Sequence, residues 1–386
     1  MQKSVLIISF SDLKNDPRVY RQIKWLAPHY RVMTLGNAPS GIEGVEHFSC
    51  DVPHITYPLW HPYKLLRGAR ALSYLVTQQF DAFYWSLRPV AKALSSIRAL
   101  PRVPEVVIAN DIDALPLALQ VSAKAKVIID LHEYAPREWE DRLVWKMMYQ
   151  RYKRYLCQAY LPKAHTAFTV GEGIADEYAR EFQVKPVVLT SAPFSFALQP
   201  LPPREKLQLI HHGLAVPSRK IEDMIHMMKH LDDRFELNLI LVPGDAAYIQ
   251  KIKMMSQADK RIRFLPKVAM QDIVPFINQF DLGICVIPPV NFSILHALPN
   301  KFFEFLQARL AVIVGPNPEM AKWVNRHHLG LVTTSYSPQD MAREISQLDR
   351  QKIMAYKQNV HLAAQQFNAE QNQQILVDAV HKLTAS

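Results

Sequence analysis

Residues 298–314, LPNKFFEFLQARLAVIV, constrain the fold of this chain more than any other stretch. Pro299 predicts a helix start, because a proline in the first turn sacrifices no hydrogen bond. About three turns of helix follow, and residues 310–314 form a short apolar run of the kind found in buried parallel strands. Lys301 and Glu304 stand three apart, so they share one helix face near its positive N-terminal end. A helix that carries a cation and a carboxylate just past the carboxyl end of a strand suits a phosphorylated ligand with a hydroxylated sugar.

The same strand-then-helix alternation runs through the rest of the chain. Strands are predicted over residues 5–10, 30–35, 105–109, 126–131, 167–170 and 187–189, with helices at 16–27, around 114–123, at 138–161 and at 173–182. That order defines a doubly wound parallel sheet. Residues 191–203 hold Pro193, Pro200, Pro202 and Pro203 without periodicity and read as a linker. The alternation then restarts, with strands at 207–211, 237–242, 262–265, 282–287, 310–314 and 330–333. The expectation is an α/β protein of two Rossmann-like domains facing a central cleft. Residues 1–192 form the first, 193–204 the linker and 205–366 the second. A C-terminal helix at 367–386 packs back on the first domain.

At 386 residues the chain exceeds one typical core, and its 49% hydrophobic content is that of a soluble globular protein. Cys50, Cys157 and Cys285 are too scattered for a disulfide framework or metal spacing, which points to a reducing compartment. The opening residues read as a strand rather than a secretory leader, so a cytoplasmic location is expected. The net charge of +10 has one visible concentration. Residues 60–102 contain Lys64, Arg67, Arg70, Arg88, Lys92, Arg98 and Arg102 against Asp81 alone, interleaved with Leu72, Leu75, Phe80, Phe83, Tyr84 and Trp85. This pattern fits either an amphipathic surface on an anionic inner membrane or a helix pair with one face packed on the sheet. No nucleic-acid-binding motif accompanies the charge, and a nucleic-acid partner is not expected.

Several loops share a further pattern. Residues 15–21 (NDPRVYR), 110–116 (NDIDALP), 130–134 (DLHEY), 168–176 (FTVGEGIAD), 191–193 (SAP), 211–220 (HHGLAVPSRK) and 265–268 (LPKV) occur in this order ahead of the segment at 298–314. Together they resemble the retaining family 4 glycosyltransferases of GT-B fold. In that family a Glu-x7-Glu pair precedes a strand like that at 310–314, and its second Glu holds the donor ribose. Glu304 matches this second Glu, while His296 stands at the first. Arg219 matches one of two donor-phosphate cations, and Leu214 stands where the other is usual.

The resemblance implies transfer of a sugar from a UDP- or GDP-sugar to a glycan or lipid-linked acceptor in bacterial surface polysaccharide synthesis. Gly213, Arg219, Lys220, Val268, His296, Asn300, Lys301 and Glu304 are the expected donor-binding residues, and Arg18, Asp111 and His132 face the acceptor. His132, Arg219 and Lys301 are expected to carry the catalysis. An imidazole near neutrality can take or relay a proton, and a guanidinium can clasp a diphosphate through two bonds. Asp113 is placed to cap the helix that follows it. Asp111 and Asp113 lie in the first domain, away from the diphosphate, so metal-independent chemistry without a cofactor is expected. His211 and His212, adjacent on a strand, point to opposite faces and do not form a zinc pair. A nucleotide-sugar epimerase of the same fold and a non-catalytic donor-binding subunit are the alternatives.

Overall fold

The computed structural model describes residues 2–50 and 62–385, with side chains from residue 68 onward in the second stretch. The basic segment at 60–102 therefore lies partly outside the described residues. The chain divides into two compact units, residues 1–189 with 373–386 and residues 190–372.

The first unit is built on β1 (Ser4–Ile8), β2 (Arg31–Gly36), β3 (Glu46–Ser49), β4 (Val106–Asn110), β5 (Lys126–Leu131), β6 (Thr166–Thr169) and β7 (Val187–Val188). They pair in the order β3-β2-β1-β4-β5-β6-β7, every pair parallel. Central strands β1 and β4 are buried along their whole length, as continuous apolar runs covered on both faces must be. Strand order reverses between β1 and β4, so the carboxyl ends there diverge and leave room for a ligand. The helix Pro17–Leu26 starts beside this point. Asp16 caps it by accepting from the Arg18 and Val19 amides, both at 3.2 Å, and Val19, Gln22, Ile23 and Leu26 turn inward at helical spacing.

The second unit repeats the plan with β8 (Leu207–Ala215), β9 (Phe235–Pro243), β10 (Ile262–Phe264), β11 (Leu282–Cys285), β12 (Ala311–Val314) and β13 (Gly330–Val332). Its order is β10-β9-β8-β11-β12-β13, again all parallel, with the reversal between β8 and β11. Successive residues feed opposite apolar layers. Leu209, Leu282, Ile284 and Ile313 enter one layer. Ile210, Cys285, Val312 and Val314 enter the other, with Phe302, Phe303 and Phe305. That alternation is the two-residue period of a strand covered on both sides.

Several expectations shift. Pro299 is the N-cap, and the helix Asn300–Gln307 lasts about two turns rather than three. Arg309 adopts φ 61° and donates to the Leu306 and Gln307 carbonyls at 3.2 and 2.7 Å, which occupies carbonyls that a third turn would have used. The long helix expected at 138–161 is broken into Leu143–Met148 and Gln150–Tyr160, after a 3-10 turn at Ala135–Arg137. Glu140 pairs with Arg137 and Glu138 with Lys153, which holds the chain before residue 143 in turns. β3 was not foreseen, because Glu46-His-Phe-Ser49 is a half-exposed edge strand with no apolar run. The proline-rich stretch expected to be a linker has neither helix nor strand, yet it is tied down within the second unit. Ser195 Oγ donates to Glu370 at 2.8 Å, Arg309 to the Phe196 carbonyl at 2.9 Å, and the Ala369 amide to the Pro193 carbonyl at 2.8 Å. In the described part of residues 60–102, Phe80, Phe83 and Tyr84 are buried, and Phe83 meets Tyr152 edge-on at 4.9 Å. These aromatics pack inward, and Leu72 and Val76 remain exposed.

Gly330 gives a direct test of the second sheet. A Cβ there would fall 1.9 Å from the Val312 carbonyl oxygen of the adjacent strand. Gly330→Ala should therefore push β13 off β12 and lower the unfolding free energy by about 3 kcal/mol or more. Urea denaturation measures this, and an unchanged midpoint would contradict the pairing.

Candidate active site

In the second unit, β8 and β11 end on either side of the strand-order reversal and present His211, His212, Gly213 and Cys285. The helix Asn300–Gln307 is anchored by the buried Phe302, Phe303, Phe305 and Leu306. Its remaining face carries Lys301 and Glu304. Gly213 has φ 136°, a conformation that side-chain-bearing residues avoid, and the Lys301 ammonium fills the space beside it. A Cβ at residue 213 would lie 2.9 Å from Lys301 Nζ. Burial lowers the Lys301 pKa; Cys285 and Glu304 oppose this and Arg219 reinforces it, leaving a value of about 8. A base lowered in the folded state costs stability below its folded pKa, and the cost is relieved between about 8 and the ordinary 10.5.

His212 Nε2 lies 3.4 Å from Glu304 Oε2, and its ring meets Phe305 edge-on at 5.2 Å. Burial, assisted by Lys301, depresses this imidazole to about 3, so it is neutral wherever the protein is folded near neutrality. His211 donates from Nδ1 to the Ile284 carbonyl at 2.9 Å and is likewise held neutral by burial. The two histidines thus engage different partners, one on β11 and one on the helix. Asn300 Oδ1 is buried without a hydrogen-bond partner at the first turn of that helix. A ligand hydroxyl or amide arriving there would satisfy it.

In the first unit, Asp130 is next to last in β5 and is fully enclosed. Arg18 grips it through Nε at 2.7 Å and Nη2 at 2.6 Å, and donates from Nη1 to the Leu189 carbonyl at 2.7 Å. Burial alone would raise the Asp130 carboxyl, but Arg18 and His132 outweigh it and hold it well below the carboxylate range. His132 faces Asn110 Oδ1 at 3.1 Å through Nε2 and Asp111 Oδ2 at 3.4 Å through Nδ1, while its amide donates to Asp111 Oδ1 at 3.0 Å. Asp111 itself is held at φ 63°. Burial lowers the His132 pKa, but Asp111 and Asp130 raise it further, to about 9. His132 is therefore an imidazolium at neutral pH, a donor of hydrogen bonds rather than the proton acceptor that its type suggested. Its contribution to stability is full below the ordinary 6.5 and is lost as pH rises through about 9.

The structure thus brings Gly213, Lys301, Glu304, Asn300 and Arg219 into one neighbourhood, and Arg18, Asp111 and His132 into another. Lys220 is exposed, caps the helix Ile221–Met228 in a left-handed conformation at φ 49°, and behaves as a surface charge. Val268 follows β10 and packs on the apolar layer containing Ile240 and Phe302. His296 ends the short helix Phe292–Leu295 and stacks over Phe292 at 4.5 Å. Asp113 does not cap its helix, whose N-cap is Ala114, and pairs with Lys153 instead. The proximity of His212 to Glu304 and of Cys285 to Lys301 went unseen, because nothing in the sequence sets which strand ends become neighbours. Among the described residues no cluster of three His, Cys, Asp or Glu side chains is placed to hold a metal ion.

Residues 207–351 match the family described as Glycosyl transferases group 1, and the second unit is therefore a glycosyltransferase domain. No curated protein matches the chain by sequence. Among solved structures, Anabaena HepE in complex with UDP-glucose superposes with a TM-score of 0.70 at 15% identity, covering 98% of this chain and 99% of that one. Sucrose-phosphate synthase from Thermosynechococcus elongatus gives 0.71 at 14% identity over 100% of both chains. Trehalose 6-phosphate synthase from Burkholderia multivorans gives 0.67 at 11%, covering 100% of this chain and 99% of that one. The likeness shows the fold to be that of the GT-B glycosyltransferases, with two Rossmann-like domains.

Asp130→Asn should leave the Arg18 guanidinium buried without its counter-charge and cost about 3–5 kcal/mol of stability. Nuclear magnetic resonance titration of the wild-type protein should show His132 titrating at about 9, and the same variant should lower that value. A His132 that titrates at its ordinary value in both proteins would contradict the described network.

Proposed function

We propose that the protein is a retaining glycosyltransferase of the family 4 kind, moving a hexose from a nucleoside diphosphate sugar to a hydroxyl acceptor. The observation that carries this reading is the Lys301 ammonium seated against Gly213, with Glu304 on the same helix face. A diphosphate at this point meets two cations, Lys301 and Arg219, and a glycine backbone that permits close approach. Their charge takes the part that a divalent metal plays in other enzymes. The Glu304 carboxylate has acceptor sites for both hydroxyls of a ribose diol. Of the expected donors, a UDP-sugar is favoured, since HepE and an E. coli trehalose-6-phosphate enzyme of like fold were solved with UDP-glucose and UDP-2-fluoro glucose.

In the proposed reaction, Lys301 and Arg219 stabilise the departing diphosphate. The acceptor hydroxyl attacks from the face that the phosphate leaves, which retains the anomeric configuration, and a phosphate oxygen takes the acceptor proton. His132, already protonated, donates to the acceptor or the transferred sugar instead of removing a proton. Asp111 orients it, and Arg18 acts through Asp130 as a positioning residue. Asn300 and His296 read the sugar ring, and Val268 borders the base. The acceptor is a glycan or lipid-linked intermediate of bacterial surface polysaccharide, met on the cytoplasmic face of an anionic membrane. Among the described residues no helix is long and apolar enough to cross a membrane, so the proposed association is peripheral.

Glu304→Gln should weaken UDP-sugar binding by roughly tenfold or more, the loss of charge-assisted bonds to a diol, with turnover of the wild-type enzyme persisting in EDTA. Unchanged donor affinity in Glu304→Gln would sink the ribose assignment. New sugar nucleotide formed without acceptor would replace the reading with an epimerase.

A further inference from the structure

We infer that the face formed by Trp139, Leu143, Val144 and Met147 seats on an anionic bilayer surface. The helix Leu143–Met148 has no buried residue. Leu143, Val144 and Met147 are 71%, 73% and 70% exposed, and Trp139 just before them is 40% exposed. Scattered exposed apolar residues are ordinary, but these fall on one stripe, since residues 143, 144 and 147 are neighbours at helical spacing. A helix that turns its apolar side chains outward gains nothing from its own unit and needs a partner.

Charge identifies that partner. Arg142 and Lys146 form the next row of the helix, and Arg151 follows; all three are exposed. Across residues 137–154 six basic side chains face three acidic ones. Arg137, Lys153 and Arg154 pair with Glu140, Glu138 and Glu181, so Arg142, Lys146 and Arg151 are the cations that border the stripe. The Arg142 guanidinium lies 4.3 Å from the Trp139 ring, which places a cation beside the residue type that favours the headgroup level. An apolar stripe bordered by Arg and Lys is the composition of an interfacial helix on anionic lipid. The face belongs to the connection that leaves β5 at His132, so a bound bilayer would present lipid to the acceptor side of this unit. The inference deepens the proposed lipid-linked acceptor and rests on that reading for its purpose alone.

Vesicle flotation of the full chain tests it. The protein should float with mixed phosphatidylglycerol–phosphatidylcholine vesicles, less so at high salt, and not with phosphatidylcholine alone. Exchanging Leu143, Val144 and Met147 together for Ser should lower the partition by roughly tenfold or more, as should Arg142→Glu with Lys146→Glu. Thermal stabilisation by UDP should be unchanged in both variants, which separates this surface from the donor site. Leu72→Ser with Val76→Ser should leave flotation intact. Absent flotation of the wild type, flotation indifferent to the triple exchange, or a dimer in lipid-free solution that the triple exchange dissolves would each overturn the inference.

Discussion

A parallel sheet whose strand order reverses leaves its central strand ends diverging, and whatever occupies that opening must come from the loops and helices that follow. In the second unit the opening between β8 and β11 is occupied by a cation. Lys301 can stand there because residue 213 has no side chain and because three phenylalanines hold its helix against the sheet. Among the described residues no carboxylate forms an ion pair with the partly desolvated ammonium, and its depressed pKa records the cost. In the proposed function a diphosphate supplies the counter-charge to this ammonium.

The first unit treats its own opening differently. There the charges are already balanced, with Arg18 on Asp130 and His132 between Asp130, Asp111 and Asn110. Removing Asp130 leaves the Arg18 guanidinium buried without its counter-charge. One chain therefore uses the same strand plan twice, once with an unbalanced cation and once with a closed network.

Much of this is legible in the amino-acid sequence. The alternation of short apolar runs with helices marks every strand of both sheets except β3, and the spacing of Lys301 and Glu304 places both on one helix face. Gly213 and Arg219 are expected together because a strand–loop–helix junction of that composition resembles a known phosphate site, and both do lie near Lys301. What escaped depends on pairings that chain order does not carry. His212 becomes the neighbour of Glu304, and Arg18 the clasp of Asp130, through contacts between residues far apart in the chain. The protonated state of His132 could not be read either, since an isolated imidazole titrates near neutrality and only two nearby carboxylates move it. The helix break at Tyr149 was hidden because the side-chain pairs that shape the preceding turns, such as Lys153 with Glu138, leave no mark on periodicity.

In the proposed function Lys301 is the counter-ion of a nucleoside diphosphate. Calorimetric titration of UDP into the protein at about pH 8, in buffers of different ionisation enthalpy, measures it directly. Burial lowers Lys301 to about 8 and a bound diphosphate favours its charged form, so binding should take up a fraction of a proton per nucleotide. Lys301→Met should abolish the uptake and weaken binding. Binding without proton uptake, at an affinity that Lys301→Met leaves unchanged, would contradict the account.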